Sequence, residues 1–100
     1  MENKYIKAYN SIITSKDIDL YESFLLCFYI NKHILNDGIV YTSEKKEEEM
    51  LKIERHAIGK KRKHLEELGY IKCEKNKGKC TRIIINPNLI KYLNDEKEDM

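Results

Sequence analysis

The chain has 100 residues, of which 41% are apolar and 36% charged, with a net charge of +2. This composition is typical of one soluble globular domain with a modest core. No apolar run reaches the roughly 18 residues of a membrane span, and the first residues lack the apolar stretch of a signal peptide. We therefore expect no membrane partner and a cytoplasmic location.

The positive charge is concentrated in the middle of the chain. Residues 51–82 contain eleven Lys or Arg and four Asp or Glu, which gives this segment a net charge of +7. The segments before and after it have net charges of −3 and −2. A local excess of this size attracts polyanions such as nucleic acids, although charge runs also occur as ordinary solvated surface.

The N-terminal part contains one strong helix signal. Residues 5–14 are rich in β-branched side chains and predict a strand or a short helix. Asp19, followed three residues later by Glu22, forms a capping-box pattern. It predicts a helix over residues 20–34, whose nearly continuous apolar surface is typical of a central buried helix. The sequence Asn-Asp-Gly at residues 36–38 ends it.

The next segments predict a short strand and two helices. Residues 39–42 predict the strand. Thr42 or Ser43 then caps a helix over residues 44–51, whose acidic first turn suits the helix dipole. A turn leads into a longer helix over residues 55–68, with its apolar side chains on one face.

A β-hairpin is predicted directly after the longer helix. Gly69 lies where a helix end favours a left-handed residue. Residues 70–75 and 80–86 have strand composition and are joined by Asn-Lys-Gly-Lys at residues 76–79, a turn signal. The hairpin is rich in lysine, so a basic helix is followed immediately by a basic hairpin.

One last helix completes the predicted order. Asn86 is its expected cap and Pro87 its first residue, a position that proline tolerates well. Apolar side chains at residues 89, 90 and 93 give this helix a core-facing side. We expect a single domain over residues 1–94 and an acidic, disordered tail over residues 95–100.

The order of elements and one motif resemble the winged helix-turn-helix family. The motif is Leu65-Glu66-Glu67-Leu68-Gly69-Tyr70-Ile71, a helix end that leads into the hairpin. The resemblance covers about residues 17–86. It implies an α+β, mainly α fold, with a three-helix core, a C-terminal β-hairpin wing, an N-terminal strand or arm, and a short C-terminal helix. The chain looks similar to phage and plasmid members, including plasmid conjugation (relaxosome) accessory proteins.

Two departures from the family pattern concern the core. Glu47 and Glu48 stand where the second helix usually offers apolar side chains, and Lys61 and Arg62 stand where the third helix does. One explanation is that aliphatic stems cover the core edge while the charges reach water. The other is that the helices are rotated from this alignment. The acids at residues 44–49 are interpreted as a solvated helix start.

The resemblance implies DNA-binding residues at the start of the third helix and in the wing. In the family the first residues of the third helix reach base edges in the major groove, and an arginine there reads guanine. The acids of the preceding helix would repel phosphates, so we expect the wing to contribute at least as much as this helix. Lysines of a hairpin edge also serve simply to block aggregation. The expected DNA-binding residues are Arg55, His56, Lys60 and Lys63 of the helix, Lys72, Lys75, Lys77, Lys79 and Arg82 of the wing, and Lys4 and Lys7 of the N-terminal arm.

Two functions follow from these expectations. The first is a sequence-specific, double-stranded DNA-binding accessory protein of a mobile element, acting at an origin, conjugation or transcription site. The alternative is a winged-helix protein-protein interaction module, because this fold hosts both roles. Candidate partners are double-stranded DNA, a second copy of the chain, and a relaxase, replication or transcription protein.

Catalysis, a cofactor and a metal are not expected. The sequence has no glycine-rich phosphate loop and no nucleophile elbow, and its three histidines are scattered. If the turn centres on Asn76-Lys77, Cys73 and Cys80 lie opposite or nearly opposite each other across the hairpin. A redox disulfide there is one interpretation, but reduced cysteines filling a strand are favoured in a reducing cytoplasm.

Overall fold

A computed structural model describes residues 12, 16–75 and 80–98, with side chains as far as residue 93. The described part is a small α+β domain, mainly helical, with one three-stranded antiparallel sheet. Its elements in chain order are α1 (Leu20–Leu35), β1 (Tyr41–Thr42), α2 (Glu44–Leu51), α3 (Arg55–Glu67), β2 (Ile71–Lys75), β3 (Thr81–Ile85) and α4 (Pro87–Glu98). Ile12 is helical and buried, and the rest of the strand or helix expected at residues 5–14 lies outside the described residues.

Helix α1 is the central helix, and both of its ends follow the sequence prediction. The Glu22 amide donates to Asp19 Oδ1 at 2.7 Å, and the Asp19 amide donates to Glu22 Oε1 at 2.8 Å. These two bonds form the predicted capping box. Residues 25–30 are buried without interruption, so the middle of α1 is surrounded by the other elements. After the cap at Asn36, two residues of positive φ redirect the chain, namely Asp37 (53°) and Gly38 (88°).

Helices α2 and α3 are joined by the predicted turn. Ser43, rather than Thr42, caps α2, because its Oγ accepts from the Lys46 amide at 3.1 Å. Lys52 ends the helix in the left-handed conformation with φ 58°. At the end of α3, Gly69 has φ 85°, a conformation that costs glycine little. The turn and both helix boundaries therefore agree with the sequence prediction to within a residue or two.

The sheet has the strand order β1-β3-β2. In β3, Thr81 and Ile83 face the core, whereas Arg82 points to the outer face. The register pairs Cys73 with Ile83, so Cys80 does not lie opposite Cys73. The expectation that the two cysteines oppose each other is therefore wrong. The register depends on which residues face the core, and the sequence of the turn did not reveal it.

Helix α4 begins as predicted and extends further. The Oδ1 of Asn86 accepts from the Asn88 amide at 2.9 Å, which caps the first turn behind Pro87. Leu93 is buried in the core. The helix continues to Glu98, so residues 95–98, which were expected in the tail, extend it. Residues 99 and 100 lie outside the described part of the chain.

A buried ion pair joins α2 to α3. Glu47 is 0% exposed and Arg62 is 5% exposed. Arg62 Nε donates to Glu47 Oε1 at 2.8 Å, and its Nη2 donates to Glu47 Oε2 at 3.0 Å, a two-pronged arrangement. The interpretation of residues 44–49 as solvated is therefore wrong for Glu47. The expectation that the charge of Arg62 reaches water is also wrong, because the two departures from the apolar pattern compensate each other.

Two further side chains complete this buried cluster, which we define as Tyr29, Glu47, Arg62 and Thr81. The Tyr29 hydroxyl donates to Glu47 Oε2 at 2.8 Å and accepts from Arg62 Nε at 3.2 Å. Arg62 Nη1 donates to Thr81 Oγ1 at 3.1 Å. Burial and the Glu47 charge raise the pKa of Tyr29 well above its usual value. Burial alone would lower the pKa of Arg62, but Glu47 and Tyr29 raise it, so the pair stays ionic.

The first prediction concerns the stability that this pair provides. Arg62→Met and Glu47→Leu should each lower the free energy of unfolding by about 3–5 kcal/mol, because each leaves one buried charge without its partner. The double variant should lose much less free energy of unfolding than the sum of the losses in the two single variants. Urea unfolding measures all three, and additive losses would contradict a direct interaction. The exposed pair of Arg55 and Glu48 is the control, and Arg55→Met should cost less than about 1 kcal/mol.

The second prediction concerns Asp19. Burial raises the pKa of its carboxyl, but the hydrogen bond and charge of Lys61 and the capped Glu22 amide lower it below the ordinary 3.8. A lowered pKa adds stability that is present above 3.8 and is lost as the pH falls through the folded-state value. Asp19→Asn should therefore be less stable than wild type at pH 7, and the difference should shrink below pH 3.8.

Urea midpoints at pH 7, 4.5 and 3 test this prediction. Because half of the Asp19 side chain is exposed, we expect a difference below about 1 kcal/mol. Glu49→Gln, which removes the same charge at an exposed position of α2, is the control and should show no such convergence. A difference for Asp19→Asn that stays constant down to pH 3 would contradict the assignment.

Candidate nucleic-acid interface

Two lysines and a histidine project from one side of α3. His56, Lys60 and Lys63 are exposed and spaced by four and three residues, which places them along one helix face. The opposite face carries Ile58 and Arg62, which are buried. Among the described residues, none of the three has an ion-pair partner. We call His56, Lys60 and Lys63 the basic face of α3.

Arg55 begins α3 and already has a partner. Its Nε lies 3.3 Å from Glu48 Oε2, and the two side chains are 59% and 39% exposed. A pair this exposed contributes only about 0–1 kcal/mol. Arg55 can therefore leave Glu48 for a stronger anionic or base partner at little energetic cost.

Acids of α2 border the basic face. A shallow groove of about 340 Å³ is lined by Glu44, Arg55, His56, Gly59, Lys60 and Lys63. A Cβ at Gly59 would lie 3.4 Å from the Glu44 carboxylate, so the missing side chain gives Glu44 room at this place. A second groove of about 460 Å³ continues toward the sheet and is lined by Ser43, Glu44, Lys45, Arg55 and Thr81. The acids that were expected to oppose phosphate thus lie close to the start of α3.

The hairpin does not collect its basic residues on one face. The register places Lys72, Glu74 and Arg82 on the outer face, because alternate residues of a strand point to opposite sides. Lys75 is the partner of Thr81 and lies on the other face, beside the groove that Thr81 lines. Lys77, Lys79, Lys4 and Lys7 lie outside the described residues.

Arg82 is half-buried on the outer face. Its cross-strand neighbours are Tyr41 and Glu74. Its Nε is buried and has no hydrogen-bond partner among the described residues. Arg82 and Lys72 are thus on the side of the sheet away from the groove, and the structure does not bring them together with the basic face of α3.

Two basic residues of α3 bind α1 instead. Lys61 Nζ lies 2.8 Å from Asp19 Oδ2 and 5.3 Å from the centroid of the Tyr21 ring. His64 Nδ1 lies 2.6 Å from Glu22 Oε2. Sequence reasoning missed both contacts, although each helix presents its two partners at a spacing of three residues. The capping residues of α1 therefore also hold α3 in place.

None of the three cysteines forms a disulfide. Cys27 is buried, and Cys80 is exposed. Burial, reinforced by the Glu66 charge, raises the pKa of Cys73 to about 11. A thiol of this kind forms little of the reactive thiolate near neutral pH.

Other kinds of site receive no support from the described residues. Within residues 12, 16–75 and 80–98, no group of three or more His, Cys, Asp or Glu is placed to hold a metal ion. No helix in the same part of the chain has the length and apolar composition needed to cross a membrane. The sequence matches no family model, and comparisons with curated proteins and with solved structures found no significant match.

The third prediction concerns the order of cysteine modification. At pH 8 a disulfide reagent such as dithiobis-nitrobenzoate should modify Cys80 first, because Cys73 is half-buried and its pKa is about 11. A thiol three pH units below its pKa is only about 0.1% ionised. The fast phase should disappear in Cys80→Ser and remain in the matched variant Cys73→Ser. A fast phase that survives in Cys80→Ser would contradict the assignment.

Proposed function

We propose that this chain binds double-stranded DNA as a winged helix-turn-helix protein, with α3 in the major groove and the β2–β3 hairpin as the wing. The order of helices and the three-stranded sheet are compatible with that fold. Helix α3 has 13 residues, hence a length of about 20 Å. The major groove of B-form DNA, about 12 Å wide, admits a helix of this kind.

The basic face of α3 carries the proposal. His56, Lys60 and Lys63 are exposed along one side of a helix whose other side is anchored in the core. None of the three side chains has an ion-pair partner in the described part of the chain, so they are available to phosphates or base edges. Arg55 at the start of the same helix is held only by an exposed pair and is the proposed reader of guanine.

The acids beside this face favour selective binding over indiscriminate binding. Glu44 and Glu48 lie next to the first turns of α3. Negative charge at this position lowers the attraction for any phosphate backbone, whatever its sequence. Binding through this surface then depends more on base contacts than on the net charge of the segment.

We propose that only one face of the wing contributes to DNA binding. Lys75 lies on the same side as Thr81, which lines the groove that runs to Arg55. Lys72 lies on the outer face, close in sequence but on the opposite side. We therefore assign the phosphate contact to Lys75, while Lys72 provides a matched control in the same strand.

The proposed biological setting is a mobile element. It rests on the resemblance of the motif at residues 65–71 and of the element order to phage and plasmid winged-helix proteins. In that setting the chain acts as an accessory factor at an origin, conjugation or transcription site, without catalysis. A second copy or a relaxase, replication or transcription protein is the proposed protein partner.

A protein-interaction role is the second candidate, and exposed apolar side chains favour it. Leu20 is 70% exposed, and Phe24, one helical turn later on α1, is 44% exposed. Tyr92 on α4 is 57% exposed. Large apolar side chains left in water are typical of surfaces that bind another protein.

The fourth prediction tests DNA binding. A DNA duplex selected from a random pool should bind more tightly than a scrambled duplex of the same length. The difference should hold at about 50 mM and at about 200 mM salt. Lys60→Ala, Lys63→Ala and Lys75→Ala should each weaken binding and lower the salt slope by about one for every lost phosphate contact. Lys72→Ala should leave affinity and slope unchanged.

Two outcomes would contradict the fourth prediction. If selection enriches no sequence, and weak binding disappears with added salt for every duplex, the chain has only non-specific electrostatic attraction. Equal losses of DNA affinity in Lys72→Ala and Lys75→Ala would contradict the assignment of the phosphate contact to the inner face of the wing. If selection enriches no DNA sequence, Leu20→Ser and Phe24→Ser should be tested for loss of binding to a protein partner.

A further inference from the structure

Two lysines from different helices meet over one aromatic ring. Lys32 Nζ lies 5.4 Å from the centroid of the Phe28 ring, and Lys46 Nζ lies 6.0 Å from the same centroid. Lys32 is in the last turn of α1, and Lys46 is in the first turn of α2. Phe28 is 9% exposed, so it forms an apolar floor beneath both ammonium groups. We call Lys32 and Lys46 the lysine pair.

The two positive charges are not neutralised by a carboxylate. Neither lysine has an ion-pair partner in the described part of the chain. Burial and the neighbouring Lys46 ammonium lower the pKa of Lys32, and no acid acts on it in the opposite direction. The ring face and the carboxyl end of α1 supply only partial negative charge. An anion between the ammonium groups would therefore relieve their repulsion.

We propose that the lysine pair is a binding site for a phosphate group. Two ammonium ions supply six N–H donors and a charge of about +2, which matches a phosphate monoester near neutral pH. The first turn of α2 adds the positive end of its helix dipole. A phosphodiester of a nucleic-acid backbone and a free phosphate both present anionic phosphate oxygens to the two ammonium groups, so the ligand class is a phosphate from either source.

The lysine pair is distinct from the basic face of α3. Lys46 and Glu48 are two residues apart on α2 and hence point in nearly opposite directions. Glu48 contacts Arg55 of α3, whereas Lys46 lies over Phe28 of α1. The phosphate site does not depend on the proposed function. Only the identification of its phosphate with a DNA backbone rests on that function.

Phosphate itself is the first probe. Thermal unfolding of the full chain should be recorded in sodium phosphate and in sodium chloride at matched pH and ionic strength. A ligand that binds only the folded state raises the Tm, so phosphate should raise the Tm of the wild type by several degrees. Lys32→Met and Lys46→Met should lose this increase, since each keeps an apolar chain over Phe28 but removes one charge. Lys45→Met, which removes the same charge one residue away, should keep it.

The results separate the alternatives. An equal phosphate effect in wild type, Lys32→Met and Lys46→Met overturns the proposal, as does the absence of any effect in wild type. Because this measurement contains no DNA, a failure of the proposed DNA binding leaves it intact.

The source of the phosphate is identified with the selected duplex. If it is the DNA backbone, Lys32→Met and Lys46→Met should each lower the salt slope by up to about one. Lys72→Met, on the outer face of the sheet, is the control and should leave the slope unchanged. An unchanged slope together with the phosphate effect identifies a free phosphate or a phosphorylated small molecule as the ligand.

Discussion

The buried contact between Glu47 and Arg62 is the constraint on which the arrangement of the domain depends. Charged groups are stable in the interior only when they are paired and hydrogen-bonded, and the guanidinium of Arg62 has partners on four elements. It contacts Glu47 of α2, Tyr29 of α1, Thr81 of β3 and the carbonyl of Thr42 in β1. The same side chain thus ties α3 to α2, to α1 and to strands β1 and β3.

Helix α3 distributes its lysine, arginine and histidine side chains in three directions. Arg62 turns inward, and Lys61 and His64 bind the capping residues of α1. His56, Lys60 and Lys63 remain on the exposed side. The net charge of residues 51–82 therefore overstates the positive charge that α3 exposes to a binding partner. The inward and α1-facing contacts fix α3 against the rest of the domain, as the proposed DNA-binding role of its exposed side requires.

Helix α2 separates the two proposed anion-binding regions. On one flank Glu44 and Glu48 face the start of α3, and on the other Lys46 joins Lys32 over Phe28. The acids weaken general attraction to phosphate at the basic face, while the lysine pair has no such counter-charge among the described residues. A single short helix thereby gives its two sides opposite electrostatic character.

The sequence by itself determined helices α1 to α4, their starts and the two strands of the hairpin, because these signals are local. The capping box of Asp19 and Glu22, the left-handed Gly69 and the start at Asn86 each act over a few residues. Only the tertiary structure decided which charges meet. Glu47 and Arg62 are 15 residues apart, and Asp19 and Lys61 are 42 apart. With many acids and lysines available, helix packing selects the partners. Core burial decides which face of the hairpin is the inner one, and so places Lys75, rather than Lys72, on the same side as the buried Thr81.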